Sequence, residues 1–129
     1  MNTGSPQLTG PVKPGKVQAI ALMTLVNGIV NIFWGLGATA GLLWTIFCWP
    51  FGAFPLVLGI LEIIYAVKLL SNGPEPVQPA RHIAVMEICN ILYGNALSLI
   101  VGIIVLVLYE DPEVKTFYAA FPARLQIVN

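Results

Sequence analysis

Apolar positions along this chain run in long unbroken stretches, interrupted by short clusters of proline, glycine and charge. The first stretch, Val17 to Phe47, would be roughly 45 Å long as a helix at about 1.5 Å per residue. That is too long for one perpendicular membrane crossing and too short for two. A tilted or bent helix is therefore expected, with Gly35, Gly37 and Gly41 as its weak points. Cys48-Trp49-Pro50-Phe51-Gly52 is expected to turn the chain, and Trp44 and Trp49 suit a headgroup belt. A second stretch runs from Ala53 to Leu70. Ser71 to Pro79 holds Pro74, Pro76 and Pro79 and cannot be helical throughout. A third stretch, Ala80 to Tyr109, has a break point at Tyr93-Gly94-Asn95. A true turn there would give four spans. Each half would then be only about 13 residues, short of the roughly 20 that a bilayer core demands. The pattern predicts an all-α integral membrane protein with three long transmembrane helices; four spans are the alternative.

An internal repeat supports this layout. Ile20-Ala21-Leu22-Met23-Thr24-Leu25-Val26-Asn27 recurs, degenerate, as Ile83-Ala84-Val85-Met86-Glu87-Ile88-Cys89-Asn90, offset by 63 residues. Each copy follows a basic residue, Lys16 or Arg81. Spans one and three should then run parallel, with Lys13, Lys16, Lys68 and Arg81 on one side. The excess of Lys and Arg in short loops marks the cytoplasmic side. The N-terminus is expected in the cytoplasm, and the C-terminus, with Lys115 and Arg124, on the opposite side.

Residues 1–16 form a Pro/Gly-rich tail (Pro6, Pro11, Pro14) with nothing to pack, expected to lie against a partner surface. The bundle occupies 17–109, in spans 17–47, 53–70 and 80–109, and 110–129 is a separate amphipathic segment. Ala38-Thr39-Ala40 has the form of a signal-peptide cleavage site, but the apolar run before it exceeds the usual length, so a retained span is expected. In the last segment, Asp111-Pro112-Glu113 reads as a helix start: Asp as N-cap, Pro first, Glu in the first turn. Val114, Phe117, Tyr118 and Phe121 then share one face, at the spacing of a short amphipathic helix that contacts a partner or a membrane surface.

Composition agrees with the pattern. Hydrophobic residues make up 57% of the chain and charged residues 9%, against roughly 25% charged in soluble domains. Net charge is zero, so nothing points to nucleic acid as a partner. Cys48 and Cys89 fall near opposite ends of different stretches and read as small apolar fillers.

The polar residues inside the apolar stretches are the candidate chemistry. Thr24, Asn27, Asn31 and Gly35 share one helical face; Glu87, Asn90, Gly94 and Ser98 occupy the equivalent face of span three; Gly59, Glu62 and Ala66 form a stripe on span two. Small and polar stripes of this kind pack helices against one another and hydrogen-bond across the contact. A polar seam is the structural expectation. The functional one begins with Glu62 and Glu87, because intramembrane carboxyls mark ion or proton routes. Glu62 has no cation at helical spacing and is expected protonated, or bonded to Asn27, Asn31 or a partner chain. Glu87 lies near Arg81 and His82 and is expected in an interfacial pair. His82, the only histidine, is a remote candidate for ligating a pigment metal. No metal-ligand cluster, phosphate loop or catalytic triad can be assembled, so no metal, no cofactor and no enzyme is expected.

Lys16-Val17-Gln18-Ala19-Ile20-Ala21-Leu22-Met23, with Asp111-Pro112-Glu113-Val114-Lys115 and the aromatic Phe117, resembles phrases in small bacterial multi-span membrane proteins of unassigned function. The resemblance covers about half the chain. It implies a bacterial inner-membrane setting and transfers no site residues. The function expected is that of a non-catalytic accessory subunit in a larger membrane complex (respiratory, photosynthetic or transport), in contact with lipid and other subunits. A self-assembling channel or transporter using Glu62 is the alternative.

Overall fold

Proline and glycine decide where these helices start, turn and stop. The computed structural model describes residues 13–42, 49–71 and 77–120. Helix α1 spans Gly15–Leu42 and opens on Pro14, whose carbonyl accepts from Val17 N (3.0 Å) and Gln18 N (3.1 Å). Helix α2 spans Trp49–Leu70. Trp49 to Gly52, expected as a turn, are instead its first residues. Proline at the start of a helix removes an N–H that would lack a partner anyway, so Pro50 opens this helix rather than breaking it. The end of the first expected span, residues 43–48 with Trp44, lies outside the described residues, as does the tail 1–12. Lys13 closes the other end of α2: its Nζ donates to the carbonyls of Leu69, Leu70 and Ser71, each at 2.7 Å. A cation there meets the negative end of the helix dipole.

The expected third span is not one helix. Helix α3, Arg81–Cys89, tightens into a 3-10 turn at Asn90–Tyr93, and the chain reverses at Gly94 into helix α4, Ala96–Tyr109. Gly94 has φ +79°, a left-handed conformation open to glycine, and Asn95 caps α4 by accepting from Ser98 N at 3.2 Å. Helices α3 and α4 form an antiparallel hairpin that closes at its base, where Ala80 N donates to the Tyr109 hydroxyl (3.2 Å) and Arg81 pairs with Glu110 (2.7 Å). At about 1.5 Å per residue, the 14 residues of α4 reach roughly 21 Å, half the length of the 28-residue α1. The parallel sense of the two repeat copies does hold, since α1 and α3 both leave the same end of the bundle.

That reversal moves the C-terminal segment. Helix α5, Pro112–Ala119, begins with the expected Asp111 cap and Pro112, and packs at the same end as Lys16. Lys16 pairs with Asp111 (2.7 Å) and Glu113 (3.4 Å), and Lys115 pairs with Glu110 (2.6 Å). Lys115 therefore shares an end with Lys13, Lys16 and Arg81, contrary to the three-span expectation. Val114, Phe117 and Tyr118, expected to face a partner or a membrane, are buried against this chain's own helices; Phe121 lies outside the described residues.

Packing is closest between α1 and α2. A Cβ on Gly59 would stand 2.6 Å from the Gly28 carbonyl oxygen, and one on Gly28 would stand 2.9 Å from that of Gly59. Around this crossing a set of polar residues is buried beside the apolar core, and many large apolar side chains are exposed. Thr24, Asn27, Asn31, Glu62, Glu87, Asn90, Asn95 and Ser98 are buried, while Phe33, Val57, Leu92, Ile100 and Val107 are exposed. Two helices, Gly15–Gly41 and Phe51–Leu70, are long and apolar enough to cross a membrane.

The crossing predicts a contrast in detergent unfolding. Gly59→Ala should cost about 1–3 kcal/mol by overpacking. Gly37→Ala, with nothing within 4 Å of the added carbon, should be neutral or stabilising by up to about 1 kcal/mol. Equal effects at the two sites would contradict the crossing.

The charged end predicts a pH dependence. Asp111, bonded by Lys16, and Glu110, bonded by Lys115, are both held below the ordinary carboxyl range. A carboxyl depressed in the folded state stabilises that state at higher pH, and the contribution is lost as pH falls through the folded value. Amide protection in α5, taken relative to the intrinsic exchange rate at each pH, should therefore fall below about pH 4, and also in high salt at neutral pH. Unchanged protection in acid would refute the ion-paired docking of α5.

Candidate functional site: a buried carboxyl pair

The Gly28–Gly59 crossing brings the polar face of α1 against Glu62. Asn27 Nδ2 donates to Glu62 Oε1 (2.9 Å) and to Ser98 Oγ (3.1 Å). Asn31, one turn further, donates from Nδ2 to Glu62 Oε1 (3.0 Å) and Oε2 (2.8 Å). Its own Oδ1 accepts from Asn90 Nδ2 (2.8 Å) and Asn95 Nδ2 (2.6 Å). One side chain thus joins α1 to α2, to the hairpin turn and to the cap of α4.

Glu87 completes the cluster. It was expected at an edge beside Arg81 and His82, but it is fully buried, Arg81 goes to Glu110, and His82 is exposed. The reason is the hairpin, which carries α3 inward against α4. Two matching cradles position the acids. In Gly59-Ile60-Leu61-Glu62-Ile63, glycine Gly28 of α1 presses on Gly59, Glu62 and Ile63; in Ala84-Val85-Met86-Glu87-Ile88, Gly102 of α4 presses on Ala84, Glu87 and Ile88. These small-x-x-Glu-Ile segments lie on helices of opposite direction, and their carboxyls meet within hydrogen-bonding reach.

The hydrogen bonds constrain the charge. Both Glu87 oxygens lack a donor, as do Asn27 Oδ1 and Asn90 Oδ1. The group facing Glu87 is another carboxyl, which can bond to it only if one of the two carries a proton. Among the described residues, the groups acting on the pair are amides and each other, with no cation. Two buried carboxylates side by side without a counter-charge repel and are poorly solvated. The arrangement therefore calls for at least one proton on the pair: the amides of Asn27 and Asn31 serve Glu62, and Glu87, which accepts no hydrogen bond, is placed to hold the proton.

A second buried cluster lies towards the charged end. The Tyr65 hydroxyl of α2 is 2.9 Å from that of Tyr109 (α4) and 2.8 Å from that of Tyr118 (α5). Burial pushes the Tyr118 hydroxyl well above the usual tyrosine value, so it stays protonated at neutral pH.

Most of the residues expected in the seam meet here: Thr24, Asn27, Asn31, Glu62, Glu87, Asn90 and Ser98 are all buried. Two are elsewhere. Gly35 packs on Leu56 of α2, and Gly94 forms the exposed hairpin tip. Cys89 is a free, exposed thiol rather than a core filler. Asn95, Tyr65 and Tyr109 were missed. Asn after Gly94 is a cap signal, and Tyr65 sits three residues from Glu62 on the same stripe. Comparison with protein-family models, curated proteins and solved structures found no match.

Asn31→Leu should be the most damaging seam variant. It takes donors from Glu62 and the acceptor from two buried amides, each such group costing about 1–3 kcal/mol. Reversible unfolding in micelles should show a larger loss than for Ser98→Ala; equal losses would contradict the hub.

Proposed function

We propose that this chain is a small membrane-embedded proton-binding protein, whose Glu62–Glu87 pair takes up and releases a proton inside the bundle. This is the chemistry of a proton-conducting or proton-coupled transport unit. The observation that carries the reading is the carboxyl pair itself. Amides and Ser98 already tie α1, α2 and α4 together, so a purely structural seam has no need of a second buried acid with no donor of its own. Buried acids are costly, and in membrane proteins they mark ion and proton routes.

Membrane residence is supported by the many large apolar side chains exposed along the helices, such as Phe33, Val57, Leu92, Ile100 and Val107. In this reading α1 and α2 cross the bilayer and the α3–α4 hairpin enters and leaves from one side. The end carrying Lys13, Lys16, Lys68, Arg81 and Lys115 faces the cytoplasm by the positive-inside rule. A bacterial inner membrane fits the resemblance of the Lys16 and Asp111 phrases.

A second reading, an accessory subunit of a larger membrane complex, has its own support. Above the hairpin tip, the outer half of α1 borders an open groove of about 740 Å³, lined by Phe33, Trp34, Gly37, Gly41 and Tyr93. Such a surface suits a neighbouring helix. The two readings separate in one experiment. In vesicles bearing a pH gradient, Glu62→Gln and Glu87→Gln should each slow proton uptake at least about tenfold, while sizing shows the particle intact. Undiminished uptake with both changes, or none in the native protein, would leave only the accessory reading standing.

A further inference from the structure

Between the charged end and the acid pair lies a crevice of about 280 Å³, lined by Tyr65, Lys68, Gln78, Ala80, His82 and Ile83. It opens where the 77–80 segment passes the end of α2. Its rim is polar: Lys68 and His82 stand there, with Arg81 next in sequence and Glu110 paired to it. Its inner wall is Tyr65, the hub of the buried hydroxyl cluster. Tyr65 lies one helical turn from Glu62, and the Tyr109 hydroxyl lies within electrostatic range of Glu87. Side chains on a helix lean towards its N-terminus, so Glu87 leans along α3 towards Ala80, the residue that donates to Tyr109.

We propose that this crevice and the Tyr65–Tyr109 hydroxyl pair form the port through which the acid pair exchanges its proton with water at the charged end. The inference rests on the proton-binding reading. A proton from crevice water binds the Tyr65 oxygen as Tyr65 passes its own to Tyr109. Tyr109 in turn passes its proton to the Glu87 carboxylate, directly or through one water. Each hydroxyl gains one proton and loses one, so neither is left charged. Ala80 N–H occupies one acceptor site of the Tyr109 oxygen, which orients its own O–H either to Tyr65 or inward to Glu87. The two orientations are the states before and after a transfer. Glu87, whose two oxygens accept no hydrogen bond, is the carboxyl that takes the proton from Tyr109. Tyr118 also bonds Tyr65 but stands off the path; it holds α5 in place.

The test is time-resolved infrared detection, after a pH jump, of the carboxylic-acid band that Glu87→Gln removes, in the full-length protein in detergent. Tyr65→Phe and Tyr109→Phe should keep the band's amplitude and slow its appearance at least about tenfold. Tyr118→Phe, which deletes the bond to Tyr65 but leaves the Tyr65–Tyr109 bond, should stay within about twofold of the native rate. A merely structural cluster would slow the band in Tyr118→Phe as well, since Tyr118 also bonds Tyr65, and that pattern would overturn the port. So would native rates in Tyr65→Phe and Tyr109→Phe. Should those variants misfold, Gln78→Cys in a Cys48→Ser, Cys89→Ser background keeps every tyrosine. A bulky maleimide at residue 78 should slow the band, and an unslowed band would count against the port equally. A native protein with no titrating band would sink the acid-pair reading and the port with it, whereas a native band untouched by these changes would overturn the port alone.

Discussion

The Asn31 carboxamide is the joint on which the other pieces depend. Its nitrogen serves both oxygens of Glu62, and its oxygen receives Asn90 and Asn95. A buried polar group is costly unless it is hydrogen-bonded, and this one carboxamide satisfies four such contacts. The hairpin tip can stop where it does because its polar turn residues reach an acceptor on α1. Without that acceptor, the tip would carry two unbonded amides into an apolar surrounding.

The Gly28–Gly59 crossing is the second requirement. It brings α1 close enough for Asn27 and Asn31 to reach Glu62 at under about 3 Å, the length of a good N–H···O bond. Gly102 does the same for Glu87 in the hairpin. Two acids on helices of opposite direction thus arrive at one point. Glu62 comes with amide donors, while the Glu87 oxygens accept no hydrogen bond, so the two carboxyls differ in their surroundings.

Much of this was legible in the residues. Periodicity marked α1, α2 and α5, the Asp111-Pro112 start was read correctly, and the polar stripes named most of the buried cluster. The repeat also foretold that α1 and α3 leave the same end. What periodicity does not carry is a change of direction. Counting 63 residues on from Asn31 reaches Gly94, so the two copies part at the position where one places the central amide and the other turns back. An apolar run of 30 residues looks alike whether it continues or doubles over, since both faces remain apolar outside. Length favours one span, because each half is too short to cross, whereas the chain reverses at Gly94 into a hairpin of two short helices. Misplacing the end of that run then misplaced Glu87, Lys115 and the partner face of α5 together.

The gathering of charge at one end bears on how such a chain enters a bilayer. Apart from the two core glutamates, every charged residue among those described stands where α1 begins, α2 ends and the hairpin opens. The stretch joining α1 to α2, Leu43 to Cys48, has no charged side chain. In the membrane reading proposed above, insertion would therefore drag no exposed ion through hydrocarbon. The two long helices carry a single formally charged residue between Val17 and Val67, Glu62, and the shorter pair only Glu87 between Ile83 and Tyr109.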